Sequence, residues 1–557
     1  MTRPFIILFC YLSFSSLVGH GQQDTTRIEI LAETEIGEMK PIYAYFGYDE
    51  PNYTYRENGQ KLLSEIAALS PVPVYVRTHN LLTTQEGQPD LKWGFTNAYT
   101  EDRKGRPIYN WTVVDQILDS YVSRGMKPLV ELGFMPKALS SNPEPYQHEW
   151  SAQGAFWTGW TYPPTDYDKW AELIYQLVLH EKEKYGSEEI ESWLWEPWNE
   201  PDIGYWSGTF EEFCKLYDYT AEAVKRACPK CTFGGPHTTG PAGKSGNVFL
   251  RDFLEHAVNG TNYKTGQKGS TLEYLSFHAK GQPKMVDGHI RMNMGIQLKD
   301  IHDGFDIIKD FPELSGLPII IGECDPEGCA ACSWKRDPKY GYRNGTVYPS
   351  YTAASFARIY DLMDQKEVNL QGALTWAFEF EDQEWFAGFR ELASNGVDKP
   401  VMNVFRMFGM MSGQRVKTQS PNSYSALDII ANGVLESPDI HAMATKSENM
   451  LSILVWNYHD DDILGAINSV ELSIKGLNID RTLMRHYRVD QDLSNSYTEW
   501  EAQGKPQNPT KEQFQAIEKA GQLKLLTSPQ WISGSQGEII LNFELPRQGV
   551  SLIQLEL

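Results

Sequence analysis

Positive charge is in short supply: 50 Lys and Arg stand against 73 Asp and Glu, for a formal net charge of −23. Such a surface repels phosphate backbones and anionic lipid headgroups, which argues against nucleic-acid and anionic-membrane partners. It leaves the charge of a small substrate open, because one local cation can outweigh a distant acidic surface. Beyond the N-terminus no apolar run approaches the ~20 residues of a membrane-crossing helix. Repeats and low-complexity tracts are absent. The turn after the first strand-like run, "FGYDEPN", lacks the glycine-rich signature of a doubly wound nucleotide-binding sheet. No compact His/carboxylate cluster is visible in the sequence, so neither a metal nor a cofactor is expected. Cysteine is scarce, with seven in 557 residues. The spacings "CPKC" and "CAAC" superficially suggest a zinc site, but they lie far apart. Disulfides or inert thiols among Cys214, Cys228, Cys231, Cys324, Cys329 and Cys332 are the expectation, with metal or redox roles as alternatives and connectivity open.

The first residues, "MTRPFIILFCYLSFSSLVGHG", place Arg3 before an apolar core from Phe5 to Phe14, with small residues near Gly19 and Gly21. That is the pattern of an export signal, with cleavage expected near Gly21 and a soluble periplasmic or secreted product. Cys10 lies inside the apolar core, without the small residues that precede a lipid-modified cysteine. The remaining length exceeds one ordinary domain and predicts a large domain plus a smaller one.

Between Ile42 and Phe378, short β-branched or aromatic runs alternate with helical patterns. The runs are "IYAYFGY", "VYVRTH", "KPLVELG", "SWLWEPW", "TFGGP", "LEYLSFH", "PIIIGE" and "GALTWAF". This alternation predicts an α/β fold, a (β/α)8 TIM barrel over residues 41–403. After "KPVMNVFRMFGMMSG" the chain switches to apolar/polar alternation, as in "MLSILVWNYH" and "EIILNFELP", which predicts a β-sandwich over 404–557. The segment "DTTRIEIL", within 22–40, precedes the barrel and is expected to add a strand to that sandwich. The stretch from Glu499 to Leu523 reads as an excursion with a turn and a short helix.

The stretch "SWLWEPWNEPD" packs three tryptophans and two glutamates into eleven residues. Burying an unpaired carboxylate costs several kcal/mol by order of magnitude unless it protonates or finds a partner. A raised carboxyl pKa is what a general acid working near neutral pH requires. In a barrel, reactive groups gather at the C-terminal strand ends. Glu131, Glu200 and Glu323 sit there, with Glu379, Glu381 and Asp382 just past the last strand. Glu200 closes the fourth strand and Glu323 the seventh, nearly opposite across the barrel mouth, so the two can converge. A converging pair among aromatics suits retaining glycoside hydrolysis, in which the carboxyl groups stand roughly 5–5.5 Å apart. Glu196, deeper on the same strand, and Glu327, in a Cys-rich loop, are the decoys. Either glutamate alone is as well read as an ion-paired barrel residue.

"WNEPD" at a fourth strand end, with a glutamate closing the seventh, resembles the clan of retaining barrel glycosidases. With "VRTHNLL", "ELGFMP", "YLSFHAKG", "VDKPVMNVFRMF", "ILVWNYHDD" and "YRVDQDLSNSYTEWEAQGKPQNPT", the chain resembles glycoside hydrolase family 39, which holds β-xylosidases and α-L-iduronidases. The resemblance implies Glu200 as general acid/base and Glu323 as nucleophile, with Asn199 bonding the sugar 2-hydroxyl. His79 and His278 resemble the family's sugar-binding histidines, and Trp376 is expected to floor the subsite. Family xylosidases often associate through helices and sandwich, so the resemblance extends to a homo-oligomer.

β-D-Xylose and α-L-iduronic acid share configuration from C1 to C4 and differ at C5, where iduronate carries a carboxylate that needs a cation. "FHAKG" resembles the iduronidase pattern, placing Lys280 where xylosidases tend to have an aromatic. "RTH", "NGTNYKTGQ" and "ECDPEG" lean the same way, and Asp382 and Arg390 fall roughly where iduronidases keep an acid and an arginine near C5. "ELGFMP" and the sandwich motifs read like xylosidases. The expectation is an exo-glycosidase that releases a terminal β-xylosyl or α-L-iduronosyl residue from an oligosaccharide or polysaccharide fragment. The alternatives are a non-catalytic carbohydrate-binding protein on the same scaffold and a transglycosylase.

Overall fold

The computed structural model describes residues 25–85, 94–150, 154–376, 379–380 and 382–557. The expected export signal and Glu381 lie outside them. Eight parallel strands form the larger body: β1 (Tyr45–Tyr48), β2 (Tyr75–Thr78), β3 (Lys127–Glu131), β4 (Leu194–Glu196), β5 (Thr232–Thr238), β6 (Tyr274–Lys280), β7 (Ile319–Asp325) and β8, in two pieces, Leu370–Ala373 and Thr375–Trp376. Each pairs with its neighbour in sequence order, and Thr375↔Phe46 and Trp376↔Gly47 join β8 to β1. The sheet therefore closes, and the α/β barrel expected from the alternation is what forms. Its strands are buried on both faces, as runs such as "IIIGECD" require of a parallel sheet covered by helices.

The crossover helices follow from their caps and apolar stripes. Tyr167–Tyr185 starts at Asp166, whose carboxylate accepts from the amides of Asp168 and Lys169. It buries Trp170, Leu173, Ile174, Leu177 and Val178, the i, i+3, i+4 stripe of a helix on a core. Phe210–Ala227 starts with a reciprocal capping box between Thr209 and Glu212.

The smaller body is built on one ten-stranded mixed sheet. Its third strand from one edge is Thr26–Glu38, antiparallel to Gln414–Gln419 and parallel to Asn468–Lys475. Ile28 and Ile30 pack there against Val416, Ile453, Leu472 and Ile553. The late excursion holds two helices rather than one, Ser496–Ala502 and Lys511–Gly521, because Asn495 and Thr510 each supply an N-cap. Each C-x-x-C pair closes on itself, as Cys228–Cys231 and Cys329–Cys332, so the two do not combine into a zinc site. Cys214 and Cys324 are buried free thiols. Among the described residues no helix is long and apolar enough to cross a membrane.

Candidate active site

At the C-terminal mouth of the barrel one guanidinium organises four strand ends. Arg77, on β2, is fully buried and reaches Glu196 at 2.7 Å, Glu131 at 3.0 Å and Glu323 at 3.1 Å. It also donates to Asn199 Oδ1 at 3.2 Å. A buried cation with donors fanned in one plane needs several acceptors in fixed directions, and β3, β4 and β7 provide them. Glu196 is held from its other side by His237 and by the Tyr274 hydroxyl. It is thus a structural anchor at the base of the site.

Glu200 lies four residues beyond that anchor, where the chain turns over the end of β4. Its backbone is left-handed, with φ 43°, and its amide donates to the carbonyl of His237 at 3.0 Å. A non-glycine residue in that region costs on the order of 1–3 kcal/mol, a strain that concentrates at functional sites. The turn aims the carboxyl at His278, whose Nδ1 stands 2.8 Å from Glu200 Oε1 and 3.6 Å from Glu323 Oε1. An oxygen of Glu200, a ring nitrogen of His278 and an oxygen of Glu323 all lie within 4.8 Å of one another. The two acids therefore converge, their nearest oxygens within 4.8 Å, as the close carboxyl pair of a double displacement must.

Their protonation differs because their neighbours differ. Burial, reinforced by the negative charge of Glu323, pushes Glu200 up to about 8. Burial also works against the Glu323 anion, but the cations Lys280 and Arg77 hold it well below its ordinary value. Lys280 Nζ sits 2.5 Å from Glu323 Oε2 and also pairs with Asp325. At neutral pH one acid keeps its proton and the other is ionised, the division that proton donation and nucleophilic attack need. Sequence spacing concealed this Glu–His–Glu cluster, which has the composition of a metal site. Lys280 and Arg77 already supply the positive charge there, so the donor set is poor for an added cation.

The remaining expected residues divide. Trp376, ending β8, donates its indole N–H to Asp49 at 2.6 Å and stands edge-to-face with His79, ring centres 4.8 Å apart. Gly47 lies against it, since a Cβ there would come 2.6 Å from the indole ring. Burial lowers His79 and His278 each to about 3, so both rings are neutral. Asp382 and Arg390, both expected near C5, take opposite surroundings in the structure. The Asp382 side chain is 89% exposed and faces Arg56 at 3.8 Å. Arg390 is fully buried, donating to Trp376 O at 2.7 Å and Glu327 Oε1 at 2.7 Å, with Asp325 at 3.3 Å. With no exposed surface, Arg390 connects to Lys280 through Asp325. Glu327 is held between Arg343 and Arg390, which bring it down to about 2 despite burial, and is a structural acid. Glu379 is likewise buried and accepts from the Gly396 amide.

Sequence reasoning missed the organising role of Arg77, the anchor His237 and the bridge Asp325. The strand-end rule that found Glu200 would have found Arg77 and Asp325, had cations and second acids been weighed with the first. His237 lies just beyond the run "TFGGP".

A family model described as "Glycosyl hydrolases family 39" matches residues 26–536. The chain belongs to that family. As a family 39 member it is a glycoside hydrolase, and the family works with retention of configuration. Among family 39 relatives, a β-xylosidase from Geobacillus stearothermophilus is 25% identical over 505 residues, covering 86% of both chains. An α-L-iduronidase from Mus musculus is 24% identical over 429 residues, covering 74% of this chain and 63% of that one. Among solved structures, a bacterial orthologue of human α-L-iduronidase superposes with TM-score 0.73 at 19% identity, covering 96% of this chain and 84% of that one. A monomeric β-xylosidase from Caulobacter crescentus CB15 gives 0.71 at 21% identity, covering 95% and 99%.

Proposed function

We propose that this family 39 enzyme releases a terminal α-L-iduronosyl residue from the non-reducing end of an oligosaccharide, with Glu200 as acid/base and Glu323 as nucleophile. Glu323 attacks the anomeric carbon while Glu200 gives its proton to the leaving oxygen; water, deprotonated by Glu200, then hydrolyses the glycosyl-enzyme. Asn199, fixed by Arg77, takes the 2-hydroxyl. His79 binds ring hydroxyls over the Trp376 floor, and His278 orients Glu200. The observation that carries the acidic sugar is Lys280: a cation with three donors, two of them occupied by Glu323 and Asp325, beside the reacting carbon. Its third donor suits a carboxylate on C5.

A second reading, release of β-D-xylose, is supported by the coverage of the β-xylosidase relatives. Nitrophenyl β-D-xyloside and nitrophenyl α-L-iduronide separate the two. Compared above the acidic limb of the variant, iduronide turnover that falls at least ~100-fold in Lys280→Met, with xyloside turnover changed much less, supports the acidic sugar. Equal losses show that Lys280 does not read C5, and turnover of a different sugar alone removes both assignments. We also propose that the enzyme works after export, a reading supported by its leader sequence and by its two disulfides. N-terminal sequencing of protein recovered outside the cytoplasm should begin near Gln22; retention of Met1 there rejects it.

A further inference from the structure

The loop after β7 carries a tryptophan that its own surroundings hold in place with one side open. Trp334 is 42% exposed. Its indole N–H donates to Phe386 O at 3.1 Å and its backbone amide to Ala387 O at 2.9 Å. Gly388, at φ +83°, lets the chain pass so close that a Cβ there would meet Trp334 atoms at 2.9 Å. Asn344 braces the same Phe386 carbonyl at 2.8 Å. Among the described residues no ring or cation stacks on this indole. Among the described residues the other exposed tryptophan, Trp531, contrasts with it, because Arg481 lies over its ring at 4.7 Å in the sandwich sheet.

Trp334 also belongs to the catalytic face. The β7 and β8 loops are laced side by side: Arg390 donates its amide to Ala330 O at 2.9 Å, and Arg343 ties Cys332 O at 2.8 Å to Gly388 O at 2.9 Å. That lacing begins at Trp376, whose carbonyl Arg390 holds, and ends at Trp334. Next in the chain come Lys335, paired with Glu384, and Arg336, exposed and without an ion pair among the described residues. In a chain of net charge −23, Arg336 is a guanidinium two residues from a presented aromatic with no carboxylate paired to it among the described residues.

We propose that Trp334 is the stacking platform of a second saccharide subsite, outside the reacting one, and that Arg336 makes it select an acidic sugar chain. A rigid indole whose N–H is already bonded offers its π face alone, which suits the C–H face of a pyranose. A neighbouring guanidinium suits a uronate carboxylate on that ring or the next. The proposal rests on the glycosidase reading above and adds a position along the substrate.

Kinetics on a nitrophenyl monoglycoside, which reaches only the first subsite, separate the two ideas. Trp334→Ala should raise KM roughly tenfold for an oligosaccharide of four or more sugars, with kcat and all monoglycoside kinetics unchanged, and Trp334→Phe should restore most of it. An equal loss on both substrates, or no change on either, overturns the platform. Arg336→Ala should raise KM for a uronate-bearing oligosaccharide and leave its neutral counterpart alone. Equal effects, or none, overturn the acidic preference. If the enzyme turns over no nitrophenyl glycoside, the glycosidase reading fails separately. Calorimetric binding of the same oligosaccharides to Glu200→Gln, with and without Trp334→Ala, still decides the platform.

Discussion

At the scale of single residues, the site is an arrangement of charges whose signs set its pH dependence. As the proposed proton donor Glu200 must be protonated to act, and with its pKa at about 8 turnover should fall as pH rises through that value. Glu323, the proposed nucleophile, must be ionised, and since it lies well below its ordinary value the acidic limb should sit at low pH. Removing the cation in Lys280→Met disfavours the Glu323 anion, so the acidic limb of kcat/KM should move to higher pH. An unmoved limb would show that Lys280 does not hold the nucleophile ionised. In Glu323→Gln the negative neighbour is gone, so Glu200 titrated by carbon-13 NMR should show a lower pKa than in the parent. Arg77→Met should destabilise the protein by about 3–5 kcal/mol in denaturant unfolding, because it strands the buried Glu196 anion without its guanidinium.

At the scale of elements, the loop after β7 does more than cover the barrel. Glu327 accepts from the Cys329 amide at 2.7 Å and, with Arg343 and Arg390, forms a buried charge chain that runs through Asp325 to Lys280. The Cys329–Cys332 disulfide closes a short loop, which by chain entropy is worth about 2 kcal/mol. Cys329→Ser with Cys332→Ser should therefore lower stability by no more than about that much, measured by denaturant midpoint. A concurrent rise in the acidic limb of the pH profile would show that the loop's charge chain also positions Lys280. The paired helices Ser496–Ala502 and Lys511–Gly521 brace the neighbouring β8 loop, with Trp500 against Phe386 at 5.0 Å and Phe514 against Trp385 at 5.9 Å.

At the scale of the whole molecule, barrel and sandwich do not separate along the chain. The strand Thr26–Glu38 precedes the barrel yet lies inside the sandwich sheet, paired on both sides. Buried Arg358, on a barrel helix, meets Asp439 of the sandwich through a pair of 3.0 Å bonds, and Arg291 meets Asp461 at 2.6 Å. Ending the chain at residue 403 should leave Ile28 and Ile30 on an unpaired strand, and the product should aggregate on expression. Deleting residues 25–38 should likewise cost solubility, since it opens two facing strand edges. A soluble, active barrel from either truncation would contradict this interlocked build.

The barrel was legible from the strand–helix alternation, and Glu200 and Glu323 were legible from their places at the ends of "WLWEPWNE" and "PIIIGE", because the chemistry of parallel barrels gathers at one rim. Asn199, Trp376 and the histidines came from family resemblance, not from periodicity. What the tertiary structure alone decided is which groups meet. Arg77 binds acids from three other strands, Lys280 falls between Glu323 and Asp325, and Arg390 turns inward to Glu327 while Asp382 faces solvent. Hydrophobic period and strand count follow from local spacing. The partner of a buried charge depends on how strands far apart in sequence close into a ring, and side-chain spacing along one strand carries no record of that closure.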